Sequence, residues 1–160
     1  MPRTNLLSLV PCLYYPASWD EIADIRRRGS IRSPGFHDTI VDENDTESWR
    51  RFVFLWFRAV KPPIPGAGRR LKDFDYIWLK ISPSVMEVEG VRYSLNVFKH
   101  EDWGTLPIGD AEFQLDFEVL YSRTNWRDRA VQHRLSQAER QALLVPEKIP
   151  SDFILNLDES

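Results

Sequence analysis

The sequence predicts one α+β domain over residues 1–160, with a split, largely antiparallel sheet and flanking helices. Short apolar runs that favour strands are mixed with helical segments, without the regular alternation of strand and helix that builds a parallel sheet. The chain is also long enough to enclose one hydrophobic core, and its sequence contains no internal repeat.

The N-terminal part predicts a strand followed by a helix. The apolar run Leu6–Tyr15 ends at Pro16 and predicts a first strand that is buried on both faces. Ser18 and Glu21 have the spacing of a capping box, which predicts the start of a helix, and Gly29 predicts its end.

The middle of the chain predicts two strands and a short helix. Ser30–Ser33 favours a short strand, and the continuous apolar run Phe52–Phe57 favours a central strand. A short helix is expected over Thr46–Arg51. The prolines and glycines of residues 61–70 predict a loop there.

Strands and a helix start are also expected in the second half. Tyr76–Ile81 and Val91–Leu95 predict strands, and Ser82–Pro83 is typical of the start of a helix. Residues 113–121 fit two structures, because their apolar residues alternate as in a strand and also suit one face of a helix. Both interpretations stay open.

The C-terminal third predicts a helix between polar loops and two closing strands. Thr124–Arg140 is rich in arginine and has a thin apolar stripe, which favours a helix. Gln141–Val145 and Phe153–Leu157 are apolar runs that predict strands.

Composition excludes several classes of protein. No apolar run approaches the roughly 20 residues that span a bilayer, and the N-terminus lacks a secretory signal pattern, so a soluble, cytoplasmic protein is expected. The lone Cys12 forms no internal disulfide and is expected to be a small buried hydrophobe. With three scattered histidines it makes no zinc site, so no metal is expected.

The net charge of −3 does not indicate a nucleic-acid-binding protein, yet the arginines are clustered. Such local clusters can bind phosphate, although either one is equally compatible with a solvated helix face. The two clusters are Arg26, Arg27, Arg28 and Arg32, and then Arg123, Arg127, Arg129, His133, Arg134 and Arg140.

A nucleotide site is the leading candidate for chemistry, although the sequence has no glycine-rich phosphate loop and no nucleophile elbow. The segment Leu13–Ser18 runs from a strand into a capped helix, which places two rings and backbone N–H groups beside one cleft, with Ser18 as a further candidate contact. Tyr15 can stack on a base or bond a ribose hydroxyl, and Arg32 follows the helix. Tyr14 and Tyr15 are equally explained as ordinary strand residues.

A set of short motifs resembles the DarT-like ADP-ribosyltransferase toxins. The motifs occur in the family's order over nearly the whole chain, and each is short. They are Leu13-Tyr14-Tyr15, Ile22 to Ile31, Val53 to Phe57 with Pro62-Pro63-Ile64, Ile81 to Val85, Gly90 to Tyr93, and Arg140 to Ile154.

The resemblance implies the fold of these enzymes and NAD as the donor of ADP-ribose to a base in single-stranded DNA, or in RNA for related toxins. It implies a carboxylate that stabilises the oxocarbenium-like ribose, and an arginine that neutralises the pyrophosphate or orients the carboxylate.

Carried onto this chain, the family's strand histidine corresponds to Tyr15, and its arginine to Arg50 or Arg51. Arg51 is favoured because Trp49 and Phe52 anchor the short helix, although a surface helix charge explains either arginine.

The family's catalytic glutamate corresponds to Ala142, where the sequence departs from the family. Three interpretations remain open: a deliberate Glu-to-Ala change, a naturally inactive relative, or a catalytic role for Glu139 on the preceding segment.

The resemblance also places the target nucleic acid against residues 123–140. Its candidate contacts are Trp126, Arg127, Arg129, His133 and Arg134, with His100 and Trp103 as secondary candidates.

The sequence therefore predicts the toxic half of a toxin–antitoxin or phage-defence pair, controlled by an antitoxin or a macrodomain-type hydrolase. The main alternative is a non-catalytic module that binds nucleic acid or a protein through residues 123–140. A weaker alternative is an RNase-type toxin that uses His100 or His133.

Overall fold

The computed structural model describes residues 2–33, 51–59, 76–94, 106–121 and 127–157. The helices are α1 Pro2–Leu9, α2 Trp19–Arg28, α3 Ala111–Gln114, α4 Phe117–Tyr121 and α5 Arg129–Glu139. The strands are β1 Leu13–Ser18, β2 Ser30–Arg32, β3 Phe52–Trp56, β4 Tyr76–Ile81, β5 Arg92–Ser94, β6 Leu106–Pro107, β7 Ala142–Pro146 and β8 Lys148–Pro150.

Two antiparallel sheets organise these elements. Six strands pair in the order β4-β1-β3-β7-β5-β6, and β2 pairs with β8 in a second sheet. Glu147 joins β7 to β8 with a φ of 64°, which is uncommon for a residue other than glycine and redirects the chain from one sheet to the other. The α+β class and the split, antiparallel sheet predicted from the sequence are confirmed.

Alternate residues of the six-stranded sheet point to opposite faces. One face, here called the core face, packs against α1, α2 and α4 in the main hydrophobic cluster. Its strand residues include Leu13, Ala17, Val53, Leu55, Leu79, Ile81, Tyr93, Leu143 and Val145. The opposite face, here called the Ala142 face, carries Tyr14, Phe54, Trp56, Trp78, Ser94 and Ala142.

The predicted ends of the second helix are confirmed. The Ser18 hydroxyl accepts a hydrogen bond from the Glu21 N–H at 3.1 Å, which satisfies one unpaired donor at the helix start. Gly29 ends the helix in the left-handed conformation, with a φ of 77°, where a side chain would be strained. These local signals explain why α2 follows β1 directly.

Strands predicted from continuous apolar runs are also confirmed. Phe52–Trp56 forms β3, which lies between β1 and β7, and Tyr76–Ile81 forms β4 with the predicted bounds. The Ser82–Pro83 signal starts a 3-10 helix over Pro83–Glu87, where the Ser82 hydroxyl accepts from the Ser84 N–H.

The N-terminal prediction is wrong in part. Residues 6–9 belong to helix α1, and the first strand begins only at Leu13. Leu6 and Val10 are both buried and lie four residues apart, so helical spacing brings them to the same core, while Leu9 is exposed. The buried apolar residues at the start of the run that suggested a strand therefore have the spacing of a helix.

The last predicted strand is also wrong. Ser151–Phe153 forms a 3-10 helix, and the segment after it meets the edge of β4. The Leu155 N–H donates to the Lys80 carbonyl, and the Asn156 side chain accepts from the Lys80 N–H and donates to the Trp78 carbonyl. A side-chain amide thus replaces a strand at this edge. Residues 113–121, left open above, form parts of α3 and α4.

Candidate functional site

Residues from four neighbouring strands form a row across the Ala142 face. Tyr14 of β1 lies opposite Trp56 of β3, Trp56 lies opposite Ala142 of β7, and Ala142 lies opposite Ser94 of β5. Neighbouring strands are about 4.8 Å apart, so Tyr14 and Ala142 lie about 10 Å apart on either side of Trp56. The N-terminal strand and the closing strand therefore contribute to one surface.

The centre of this row is buried. Ala142 and Ser94 have no exposed surface, and Trp56 is 3% exposed. The Ser94 hydroxyl has no hydrogen-bond partner among the described residues. The centre of the row is therefore apolar at Trp56 and Ala142 and carries a polar hydroxyl at Ser94. A buried hydroxyl without a hydrogen bond is energetically unfavourable.

An ion pair lies at the same end of β3 and β7. Arg58 follows Trp56 by two residues, and its Nη1 lies 3.7 Å from Oε1 of Glu139. Glu139 ends helix α5, three residues before Ala142. Burial raises the pKa of the Glu139 carboxyl, while the positive charge of Arg58 opposes that shift.

Tyr14 lies at the β1 end of the row, beyond Trp56. Burial raises its pKa to about 12, with the Cys12 thiol acting in the same direction and Arg58 opposing. Its ring meets that of Trp78 edge-on, with the centroids 6.3 Å apart. Cys12 is buried, as predicted.

Tyr15 points to the core face, away from Ala142. Its hydroxyl donates to both carboxylate oxygens of Glu21, at 2.8 and 2.7 Å. Burial raises the pKa of both groups. The structure therefore does not bring Tyr15 and Ala142 together, since Tyr15 shares its face with Leu143 and Ala142 shares its face with Tyr14.

Arg51 and Arg32 lie at the other end of β7. Arg51 is exposed, and its carbonyl accepts from the Glu147 N–H, while the Glu147 carbonyl accepts from the Ser33 N–H. Positions 142 and 147 are separated along the strand by roughly 16 Å. Arg32 and Arg51 thus approach the same turn, remote from the Tyr14–Ala142 row. Ser18 caps α2 through its side chain.

Helix α5 presents the arginine-rich segment on one face. Its apolar stripe is the buried Ala138 with the partly buried Val131 and Leu135, whereas Arg129 and His133 of the helix, and Arg127 before it, are exposed. Arg134 instead binds Asp116 with two short hydrogen bonds of 2.6 and 2.7 Å, which hold α5 against the start of α4. The candidates Arg50, His100, Trp103 and Trp126 lie outside the described residues.

Sequence reasoning missed Arg58, Ser94 and Trp78 as site residues. Arg58 is the first charged residue after the apolar run that forms β3, which is the only local signal for it. Ser94 and Trp78 are brought to this face by strand register, which local sequence does not reveal.

Two further findings concern metal binding and membrane-spanning helices. Within the described part of the chain, no group of three metal-ligating side chains is placed to hold a metal ion. No described helix has the length and apolar character needed to cross a membrane.

Comparison with known proteins gives matches in structure. No protein-family model matches the chain, and no curated protein sequence matches it. Three solved structures of DarT from Thermus sp. 2.9 match with 14% identity over 91% of this chain. They are the complexes with ADP-ribosylated single-stranded DNA (TM-score 0.57, 79% of that chain), with NAD+ (0.59, 79%) and with carba-NAD+ (0.58, 80%). The DarT-like ADP-ribosyltransferase fold predicted from the sequence is therefore confirmed, and this chain has the fold of those DarT structures.

Proposed function

We propose that this protein is an NAD-dependent ADP-ribosyltransferase that modifies a base in single-stranded nucleic acid. The observation that carries the proposal is the DarT fold over 91% of the chain, in structures that contain NAD+ or ADP-ribosylated single-stranded DNA. Of the two nucleic acids predicted from the sequence, DNA is the better supported, because it is the one present in the DarT complex.

The Ala142 face is the proposed place of the reaction. A nitrogen of the base attacks C1′ of the nicotinamide ribose, and the bond from C1′ to nicotinamide breaks with its electron pair moving to the nicotinamide nitrogen. The attacking nitrogen releases its proton, so the products are the ADP-ribosylated base, nicotinamide and one proton. A nearby carboxylate stabilises the positive charge that builds on the ribose and accepts the proton.

Glu139 is the proposed carboxylate in the chain as it stands. Ala142 has no acidic group, and Glu139 lies three residues before it at the same end of β7, beside Arg58. Tyr14 takes the role of ring contact that the sequence analysis gave to Tyr15, because Tyr14 shares the face of Ala142.

The exposed face of α5 is the proposed nucleic-acid contact. Arg127, Arg129 and His133 are exposed, so they can meet phosphates or stack on an unpaired base. The cellular context that we propose is a toxin of a toxin–antitoxin or phage-defence pair in the cytoplasm. Its controlling partner would be an antitoxin or a macrodomain-type hydrolase.

Incubation with labelled NAD and single-stranded oligonucleotides tests the reaction directly. We expect label on single-stranded DNA, with nicotinamide released in equal amount, and no label on duplex DNA. RNA of matching sequence is the comparison substrate. The proposal would be refuted if neither the correctly folded wild-type protein nor Ala142→Glu transferred label to single-stranded DNA or RNA.

Ala142 itself favours a second candidate function. An alanine at the position expected for the catalytic glutamate suits a non-catalytic module that binds nucleic acid or a partner through α5. Such a module predicts binding to DNA that weakens steeply with salt, because phosphate contacts release counterions. It also predicts no thermal stabilisation by NAD, whereas an NAD-binding enzyme is stabilised by it.

A further inference from the structure

A buried hydrogen bond joins β5 to the turn between α5 and β7. The Tyr93 hydroxyl donates to Oε1 of Gln141 at 2.6 Å. Tyr93 has no exposed surface and Gln141 is 8% exposed, so the bond is shielded from water. Burial also raises the pKa of the Tyr93 phenol, which therefore stays protonated and remains a donor. A satisfied, shielded bond of this kind makes the surrounding structure more rigid.

The turn that this bond holds is short, and it carries Glu139. Helix α5 ends at Glu139 and β7 begins at Ala142, so two residues lie between them. The Gln141 N–H donates to the Ala138 carbonyl at 3.2 Å, which closes the turn. Because Ala138 is buried in the main core, packing anchors the turn on one side and the bond from Tyr93 anchors it on the other.

The bond lies on the core face, opposite to the proposed place of the reaction. Tyr93 lies opposite Leu143, and Gln141 precedes Leu143 by two residues, so its side chain points to the same face. The Glu139 carboxylate instead lies 3.7 Å from the Arg58 guanidinium. Tyr93 and Gln141 can therefore act on Glu139 only through the turn.

We propose that Tyr93 and Gln141 are positioning residues, whose hydrogen bond holds the α5–β7 turn so that the Glu139 carboxylate faces the nicotinamide ribose of NAD. This inference rests on the proposed function, in which Glu139 is the carboxylate. Without the bond, the amide oxygen of Gln141 would be buried without a donor, and rotation of its side chain towards water would move the turn. Because a displacement of about 1 Å can lower a rate by about 100-fold, a small movement of Glu139 is sufficient.

Removal of the hydroxyl alone tests this role. Tyr93→Phe keeps the ring that meets Phe57 edge-on. It is expected to lower kcat for labelling of single-stranded DNA about tenfold or more, with the KM for NAD nearly unchanged. Gln141→Met keeps the length of the side chain, has no amide to accept the bond, and should have the same effect. The double variant should lose no more than either single variant, because both remove the same bond.

A second background separates positioning from stabilisation of the fold. If the bond acts through the carboxylate, Tyr93→Phe should cause no further loss of rate in Glu139→Gln. Ile22→Val is the control for stability, because it removes a buried methyl group from α2, which packs on β1 and β2. Its kcat should equal that of wild type. Circular dichroism and the Tm establish that each variant is folded.

The pKa of Glu139 is a measurement that needs no turnover. Burial raises this pKa in the wild-type protein, so a carboxylate that Tyr93→Phe releases to water should titrate closer to an ordinary glutamate. Carbon NMR follows the carboxyl signal, which is assigned by its absence in Glu139→Gln.

Each other outcome has a distinct meaning. Wild-type kcat in both Tyr93→Phe and Gln141→Met overturns the inference and leaves the proposed function intact. So does a further loss of rate when Tyr93→Phe is added to Glu139→Gln, or an unchanged pKa of Glu139 in Tyr93→Phe. If Ala142→Glu transfers label and the wild type does not, Glu139 is not the carboxylate, and the inference is again overturned alone. If neither protein transfers label, the proposed function is overturned, and this inference with it.

Discussion

Ala142 lies directly opposite Trp56 in the β3–β7 ladder, and both side chains are buried on the face away from the main core. This pairing determines which neighbours a side chain at position 142 would meet. Trp56 stands on one side and Ser94 on the other, so a longer side chain would extend between the Trp56 ring and the Ser94 hydroxyl.

The first prediction concerns an acid at this position. We expect Ala142→Glu to raise ADP-ribosylation of single-stranded DNA at least about tenfold, because a carboxylate beside the ribose stabilises the transition state. Ser94 lies directly opposite the new side chain on the neighbouring strand. Labelling with radioactive NAD measures the effect.

Leu143→Glu is the matched control for this experiment. It places the acid one residue along the same strand, on the core face that also carries Tyr15. If Leu143→Glu raised the ADP-ribosylation of single-stranded DNA and Ala142→Glu did not, the reaction would use the core face of the sheet instead.

The second prediction concerns Glu139. Glu139→Gln is expected to lower the rate of labelling by about 100-fold or more and to leave NAD affinity nearly unchanged. Because burial raises the pKa of Glu139, the wild-type rate should fall with decreasing pH at a higher pH than an ordinary glutamate would give. A pH–rate profile checks this, and the loss of activity at low pH should be absent from the residual rate of Glu139→Gln.

The third prediction contrasts two serines. Ser94→Ala removes a fully buried hydroxyl without a partner among the described residues, so it is expected to increase the free energy of unfolding by about 1 kcal/mol. Ser18→Ala removes the cap of α2 and is expected to decrease it by about 1 kcal/mol. Urea denaturation measures both, and equal losses in the two variants would contradict the assignment of Ser94.

The fourth prediction concerns the Asp116–Arg134 link. Arg134 lowers the pKa of Asp116 in the folded protein, so this group contributes stability above its unfolded pKa, and that stability is lost as the pH falls through the folded pKa. The Tm of Asp116→Asn should therefore be lower than that of wild type at neutral pH. This difference in Tm should become smaller in acid, where the wild-type Asp116 is protonated. Thermal unfolding between neutral pH and the acid range measures this difference.

Asp24→Asn is the control for the fourth prediction. Asp24 pairs with Arg27 within one helix and on its surface, where both side chains are well exposed. Such a pair contributes little, so the Tm of Asp24→Asn should follow that of wild type at every pH.

Elements with local signals were predictable from the sequence. Helix α2 begins at Ser18 and ends at Gly29, because both signals act within a few residues of the chain. Strands β3 and β4 follow from continuous apolar runs, since such runs can bury both faces. Helix α1 was missed, because apolar content without a cap does not distinguish a helix from a strand.

The composition of the site was only partly predictable. The sequence placed Ala142 on the closing strand and Glu139 before it, and both lie at one end of that strand. It assigned the aromatic contact to Tyr15 and the arginine to Arg51. The structure puts these two away from Ala142, and it brings Tyr14 and Arg58 to that side.

The sequence by itself determined the class of the fold, its capped second helix and the absence of an acid at position 142. The tertiary structure decided which face each strand residue occupies and which charges meet. The physical reason is that side chains alternate along a strand, so a shift of one residue in register moves a side chain to the other face. Register between β1, β3 and β7 depends on pairing between distant segments, which no local pattern specifies.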